Sequence, residues 1–243
     1  MFRQIYMIKD LYTSKQFVPL LEEQKLPFKF KKGTTKKLLL FDLDETLIHV
    51  KRDRDDDMVQ ADEWSEESFE PEIEIPVFDP HSGKNIKASF SVRPYAKRCL
   101  EFANKHFEVA IFTAGNQWFA DPILNFLDPD NTLIQHRFFR QHTSQLDLDG
   151  GLSLYIKDLD ILTGSGEVTL DDILLIDNNI YSFAFNLENG IPVHSYMGDK
   201  TDRCLLQVIK YLDYIKDFTN LRVQNEKVYE CQKILDTNIE DYI

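Results

Sequence analysis

The sequence predicts an α/β domain in which a parallel sheet is flanked by helices, with a small β-hairpin inserted after the first strand. Three observations carry this expectation. Short apolar runs at Lys37–Asp42 (KLLLFD), Val109–Thr113 (VAIFT) and Ile173–Asp177 (ILLID) are too brief for helices and read as strands buried on both faces. Stretches of helical periodicity separate them. Finally, Ile73, Ile75 and Val77 alternate with polar neighbours, as do Ala88, Phe90 and Val92, on either side of the turn-forming run Asp79–Asn85. Period-two runs flanking a Gly-containing turn read as a hairpin.

At 243 residues and 43% hydrophobic content the chain can build one sizeable core, which excludes wholesale disorder. Cys99, Cys204 and Cys231 are widely spaced and form no C-x-x-C pair, so a disulfide framework or zinc site is not expected and a reducing compartment is. No apolar run reaches the roughly 18 residues of a membrane span, and the N-terminus has no compact apolar signal region. A soluble, nuclear or cytoplasmic protein is expected.

Charge is unevenly spread. The net charge is -13, yet residues 1–37 hold nine Lys/Arg against three Asp/Glu, and residues 53–74 hold eleven Asp/Glu against one Arg. A globally acidic chain lacks the basic face that binding to nucleic acid requires. The acidic block reads as a solvated, flexible insertion, because runs of like charge repel themselves. The expected plan is a basic leader over 1–36, a core domain over 37–218, and a C-terminal extension over 219–243. Within the core domain, 53–72 is the acidic insertion and 73–92 the hairpin.

Each element follows in order. The leader has some helical character and ends at Lys31-Lys32-Gly33, where the first buried strand begins. Pro94 suits the first turn of a helix running to about His106, which buries Cys99, Leu100, Ala103 and Phe107 at i, i+3, i+4 spacing. The second buried strand leads into an amphipathic helix from Asn116 to about Leu127. A polar, Gly-containing connection then runs from Arg140 to Tyr155-Ile156-Lys157. After the third buried strand, Pro192–Tyr196 reads as another strand and Asp199–Phe218 as a closing helix.

Two of the three buried strands end in Asp and the third ends in Thr: Asp42, Asp177 and Thr113. Ligands bind at the carboxyl ends of strands in open parallel sheets. Asp and Thr also stop strands and cap helices, so each alone has a structural reading as well. The sharpest local signal is Asp42-x-Asp44, two carboxylates just past a strand. One can serve as nucleophile or metal ligand and the other as proton carrier. With Asp177 they make an oxygen-rich site suited to magnesium, which takes few carboxylates, keeps waters and binds phosphate oxygens.

Asp42-x-Asp44-x-Thr46 resembles the first motif of the haloacid dehalogenase superfamily. The surrounding FDLDETLIH resembles its FCP/SCP-type branch, the NLI-interacting-factor-like phosphatases that act on the RNA polymerase II C-terminal domain. The similarity runs on through Arg93-Pro94, Phe112-Thr113-Ala114-Gly115, Ala120-Asp121-Pro122, Phe139-Arg140, Tyr155–Leu159 and Ile176-Asp177-Asn178, covering roughly residues 37–218. It implies a Rossmann-like fold and a magnesium-dependent phosphatase acting on phosphoserine or phosphothreonine in a protein.

By the same resemblance, Asp42 attacks phosphorus to give an aspartyl-phosphate and ligates magnesium. Asp44 protonates the leaving oxygen, then activates the hydrolytic water, and offers its carbonyl to the metal. Thr113 hydrogen-bonds phosphoryl oxygens, Lys157 neutralises charge, and Asp177 completes the metal site. Thr46, Asn116, Arg140 and Asn178 are expected on the substrate side. The physics is consistent, because a carboxylate and a phosphate approach each other only with cations between them.

Weaker candidates have plainer readings. His49 lies past the motif and reads as structural, Trp118 and Phe119 as packing, Cys99 as core, and Asp158 as a cap for the segment after Lys157. In the resembled branch an apolar pocket receives a substrate proline. Val77 and Phe90 are expected to line it here, while Asn116 and Asp79 stand as polar residues near it, which lowers the expected dependence on proline. Two rival readings remain: a small-molecule phosphatase of the same superfamily, and an inactive relative used for binding.

Overall fold

The computed structural model describes residues 8, 25–33, 37–51, 70–148 and 153–236. Most of the acidic block and most of the basic leader lie outside the described residues. Five strands form one parallel sheet: β1 (Leu38–Phe41), β5 (Glu108–Phe112), β6 (His136–Phe138), β9 (Ile173–Asp177) and β10 (Gly190–Pro192). Their order is β10-β9-β1-β5-β6, so the first strand in sequence lies at the centre.

The continuous apolar runs are explained by cover on both faces. Leu39, Phe41, Val109, Ile111, Leu174 and Ile176 face one core cluster. Leu38, Leu40, Ala110, Phe112, Ile173 and Leu175 face the other. The first cluster is closed by helices α1 (Ala96–His106), α2 (Gln117–Leu127) and α3 (Cys204–Ile215). Cys99, Leu100, Ala103 and Phe107 are buried there, as their spacing predicts. The second is closed by irregular 3-10 segments carrying Leu159, Leu162, Ile180 and Phe183, and by α5 (Cys231–Asp236), which follows α4 (Leu221–Tyr229). Truncating one such leucine to alanine costs about 2–5 kcal/mol.

The hairpin forms as β3 (Ile73–Asp79) and β4 (Lys84–Val92), and β2 (Ile48–Val50) adds a third antiparallel strand on the far side of β4. The Asp79 carboxylate accepts the His81 N–H at 2.8 Å and the Ser82 hydroxyl at 2.5 Å, closing the turn over Gly83, whose φ is 68°.

Several boundaries differ from expectation. Pro94 stands in the turn before α1 rather than in its first turn, because Tyr95 takes a left-handed φ of 68°. The closing helix starts at Cys204, since the Asp199 and Asp202 carboxylates capture the Thr201 and Cys204 N–H groups, both at 2.8 Å, and hold residues 199–203 in turns. The strand expected at Pro192–Tyr196 is Gly190–Pro192. The polar connection before Lys157 contains its own hairpin, β7 (Ser144–Asp147) with β8 (Ser153–Ile156), whose half-exposed faces carry no clear apolar alternation.

The described end of the leader is fixed to the core. The Leu26 N–H donates to the Ile161 carbonyl at 2.7 Å, and Phe28 is buried. Backbone N–H groups of Lys31 and Lys32 donate to the two oxygens of the buried Glu108 carboxylate at 2.7 and 2.9 Å, and His136 meets the same group at 2.5 Å. Desolvation pushes Glu108 upward, but these donors outweigh it and hold its carboxyl below 4.5. Desolvation also outweighs Glu108 at His136 and holds the imidazole below 6.5, so at neutral pH the ring is a neutral donor.

Both depressed values give stability that is complete above the unfolded pKa and lost as pH falls. The Glu108 share is present above 4.5 and disappears as pH drops through its lower folded value. Glu108→Gln turns one acceptor oxygen into a donor facing backbone N–H groups, at a cost of about 1–3 kcal/mol. In a chain of this size that is roughly 2–4 °C of Tm per kcal/mol. Thermal melts of both proteins across pH should show the gap closing below 4.5. A gap constant with pH would contradict the assignment.

Candidate active site

The catalytic candidates converge because of strand order and register. Phe41 pairs with Ile176 on β9 and with Ile111 on β5, so the residues that follow these strands emerge side by side. Asp42 therefore has Asp177 on one flank and Phe112 on the other, with Thr113 one residue further along, across neighbouring strands about 4.8 Å apart. Lys157 arrives from the end of β8, its N–H donating to the Ser182 carbonyl at 2.6 Å.

The Lys157 ammonium lies between two carboxylates, 2.5 Å from Asp42 Oδ1 and 2.6 Å from Asp177 Oδ2, with all three residues buried. Desolvation disfavours its charge, but Asp177 and Asp42 outweigh that and raise its pKa above the ordinary value. Burial and the Asp42 charge push Asp177 upward, against the pull of Lys157. Two buried carboxylates thus share one ammonium, and the cost of sharing falls on Asp177, whose carboxyl is pushed up to about 7.

The donor set fits a magnesium ion. Asp42 and Asp177 would supply carboxylate oxygens from adjacent strands. Few protein oxygens, with room left for water and phosphate, is the arrangement magnesium favours over calcium.

Asp44 is half-buried in the loop after β1, and its Oδ2 accepts a hydrogen bond from the Thr113 hydroxyl at 3.3 Å. The same hydroxyl accepts the Gly115 N–H at 2.9 Å. Thr113 is fully buried, so it meets the cleft through Asp44. Gly115 permits this close approach, since a Cβ there would stand 3.1 Å from Thr113 Oγ1 and 3.5 Å from Asp44 Oδ2.

The substrate-side candidates separate. Thr46 is fully buried and exchanges hydrogen bonds with Asn178 through its hydroxyl, so it ties two loops together without reaching the cleft. Asn178 faces the cleft and donates to Ser195 Oγ at 3.0 Å. Arg140 donates to the Ala114 carbonyl at 2.7 Å and lies over the Tyr155 ring at 4.6 Å, on the cleft rim. Asn116 precedes α2 with no side-chain cap bond and also lines the cleft.

The cleft has a volume of about 1000 Å³ and runs from the carboxylates to the small sheet, where Val50, Ile86, Trp118 and Phe119 make an apolar wall. Trp118 and Phe119 therefore both pack on the core and face the cleft. Two expectations are corrected here. Val77 and Phe90 are buried at 1% and 0% exposure and belong to the core rather than to a pocket wall. Asp79 is spent on the hairpin turn, and it is not among the residues lining the cleft. Asp158 caps the following 3-10 segment, accepting the Asp160 N–H at 3.0 Å, and Cys99 is core, both as expected. Ser182, Asn179 and Ser195 line the cleft and had no sequence signal, because they reach it only through loop folding.

Residues 37–222 match the family model for NLI interacting factor-like phosphatase. "CTD small phosphatase-like protein 2" of Dictyostelium discoideum is 33% identical over 184 residues, covering 76% of this chain and 28% of that protein. "CTD small phosphatase-like protein 3" of Caenorhabditis elegans is 32% identical over 192 residues, covering 78% of this chain and 58% of that protein. The solved structure of fission yeast RNA polymerase II CTD phosphatase Fcp1 with beryllium fluoride aligns with a TM-score of 0.49 at 20% identity, over 82% of this chain and 57% of that one. The chain thus spans less than two thirds of the length of these relatives. Among the described residues no helix is long and apolar enough to cross a membrane. With the family model matched across the whole sheet and the residues at its strand ends, the chain belongs to the NLI interacting factor-like phosphatase family.

Proposed function

We propose that this protein is a magnesium-dependent phosphatase that removes phosphate from serine or threonine of a protein through an aspartyl-phosphate on Asp42. The observation that carries the reading is the buried Asp42–Lys157–Asp177 array at the ends of adjacent strands. Asp42 would be the attacking carboxylate, oriented by the Lys157 ammonium. Asp44, held by Thr113, would give its proton to the leaving serine or threonine oxygen and later take one from water, a role typically worth 10²–10⁴-fold. Magnesium held by Asp42, Asp177 and the Asp44 carbonyl would supply charge neutralisation for the phosphoryl oxygens. Asn116, Asn178 and Arg140 would meet the substrate at the rim.

A protein substrate is favoured over a small molecule by the open cleft and its apolar wall at Val50, Ile86, Trp118 and Phe119. That wall suits an apolar side chain beside the phosphoresidue, so the case for weak proline dependence now rests on Asn116 alone. The names of relatives make a CTD peptide the first substrate to try. The full set of Asp42, Asp44, Thr113, Lys157 and Asp177 counts against an inactive binding relative.

Asp42→Asn should abolish turnover of p-nitrophenyl phosphate with little change in Tm, and near-normal turnover would end the nucleophile assignment. EDTA should stop the reaction, magnesium should restore it and calcium should restore it poorly, since calcium takes more ligands at longer distances. Full activity after exhaustive chelation would exclude the metal role. Lys157→Met leaves two buried carboxylates without their cation, a loss of about 3–5 kcal/mol. Its Tm should fall and then rise with added magnesium by more than the wild type's does; equal magnesium shifts would place the ion elsewhere.

A further inference from the structure

The loop that carries Asp44 has to make an abrupt return. Leu43 O accepts the N–H groups of Leu47 and Ile48 at 2.9 and 3.1 Å, and the Glu45 N–H donates to Ile48 O at 2.7 Å. Glu45 pays with a left-handed φ of 59°. A non-glycine residue persists in that conformation only where its surroundings over-determine it.

The surroundings do so by an unusual route. The carbonyls of Glu45, Thr46 and Leu47 are consecutive, and each accepts a hydrogen bond from outside the loop. The donors are the Tyr196 N–H at 2.7 Å, Arg93 Nη1 at 3.2 Å and the Arg93 N–H at 2.9 Å. Arg93 is 1% exposed, the largest fully buried side chain described. Its guanidinium is gripped in two-pronged fashion by Asp202, Nε to Oδ1 at 3.0 Å and Nη2 to Oδ2 at 2.8 Å, and lies 5.5 Å from the centre of the Tyr196 ring. Tyr196 in turn donates its hydroxyl to the Val92 carbonyl at 3.3 Å. A fork held at both ends is preorganised in a way that a single point charge is not.

We propose that Arg93, locked by Asp202 and Tyr196, is a positioning device that fixes the Asp44 loop and so aims the proton-transferring carboxylate at the leaving group. None of the three lines the cleft carboxylates, so they act on the reaction only through the backbone of residues 45–47. This rests on the role of Asp44 given under Proposed function. Its consequence is selective. A substrate whose leaving group departs without a proton tolerates a misplaced Asp44, whereas a serine alkoxide does not.

The test is the ratio of kcat/KM for a phosphoserine peptide to that for p-nitrophenyl phosphate. Both constants report the steps up to phosphoryl transfer to Asp42, and an unfolded fraction lowers both alike, so the ratio is unaffected by lost protein. Asp202→Asn should lower the ratio about 10–100-fold, part of the 10²–10⁴-fold that general acid catalysis contributes, and Asp202→Glu should recover part of it. Should Asp202→Asn fail to fold, Arg93→Lys keeps a buried cation but gives up the fork, and should lower the same ratio. Asp44→Asn is the reference. If it lowers the ratio while the folded Asp202 and Arg93 variants leave it unchanged, the positioning role is overturned and Asp44 stands as the acid. If Asp44→Asn itself leaves the ratio unchanged, the acid assignment fails and the positioning role with it.

Discussion

The site depends on one buried contact, the Lys157 ammonium between the carboxylates of Asp42 and Asp177. Two ionised carboxylates at the ends of neighbouring strands repel strongly once water is removed. Lys157 makes their burial tolerable, and it holds them without fully satisfying them, because one ammonium is shared by two carboxyl groups. Surplus carboxylate charge of this kind is what the proposed divalent cation would neutralise before a phosphate dianion could approach.

Everything else in the fold serves to bring these three groups together. Central placement of β1 gives Asp42 a neighbour on each side, and parallel pairing sends all the strand ends to one edge. The cover on both faces keeps that edge stiff, since alternate residues of every central strand are packed in opposite directions. At the opposite end of β5, Glu108 fixes Lys31 and Lys32, and the described residues beside them add Phe28 to the second core.

The site also shows a division between side chains that face the cleft and those that set their aim. Thr113 holds Asp44, Thr46 ties the first loop to Asn178, and Arg140 braces the Ala114 carbonyl while stacking on Tyr155. Thr113 and Thr46 are fully buried, and leaving such polar groups unpaired would cost about 1–3 kcal/mol each. Their satisfaction makes the loops rigid, and rigid loops are what phosphoryl transfer, largely a matter of positioning and electrostatics, requires.

The sequence by itself determined the parallel α/β core, the hairpin and the chemical residues at the strand ends. Uninterrupted runs such as LLLF and ILLI are too brief for helices and read as strands covered on both faces, and Asp42, Thr113 and Asp177 stand where such runs stop. Tertiary structure alone decided the roles that depend on contacts between distant residues. Val77 and Phe90 alternate as a pocket wall would, yet their side of the small sheet packs on the core, and Ile86 with Trp118 forms the wall instead. Asp79 reads from the sequence as a polar residue of that wall, yet its carboxylate closes its own turn. The grip of Asp202 on Arg93 joins residues 109 positions apart, and only the fold decides which buried arginine finds which carboxylate.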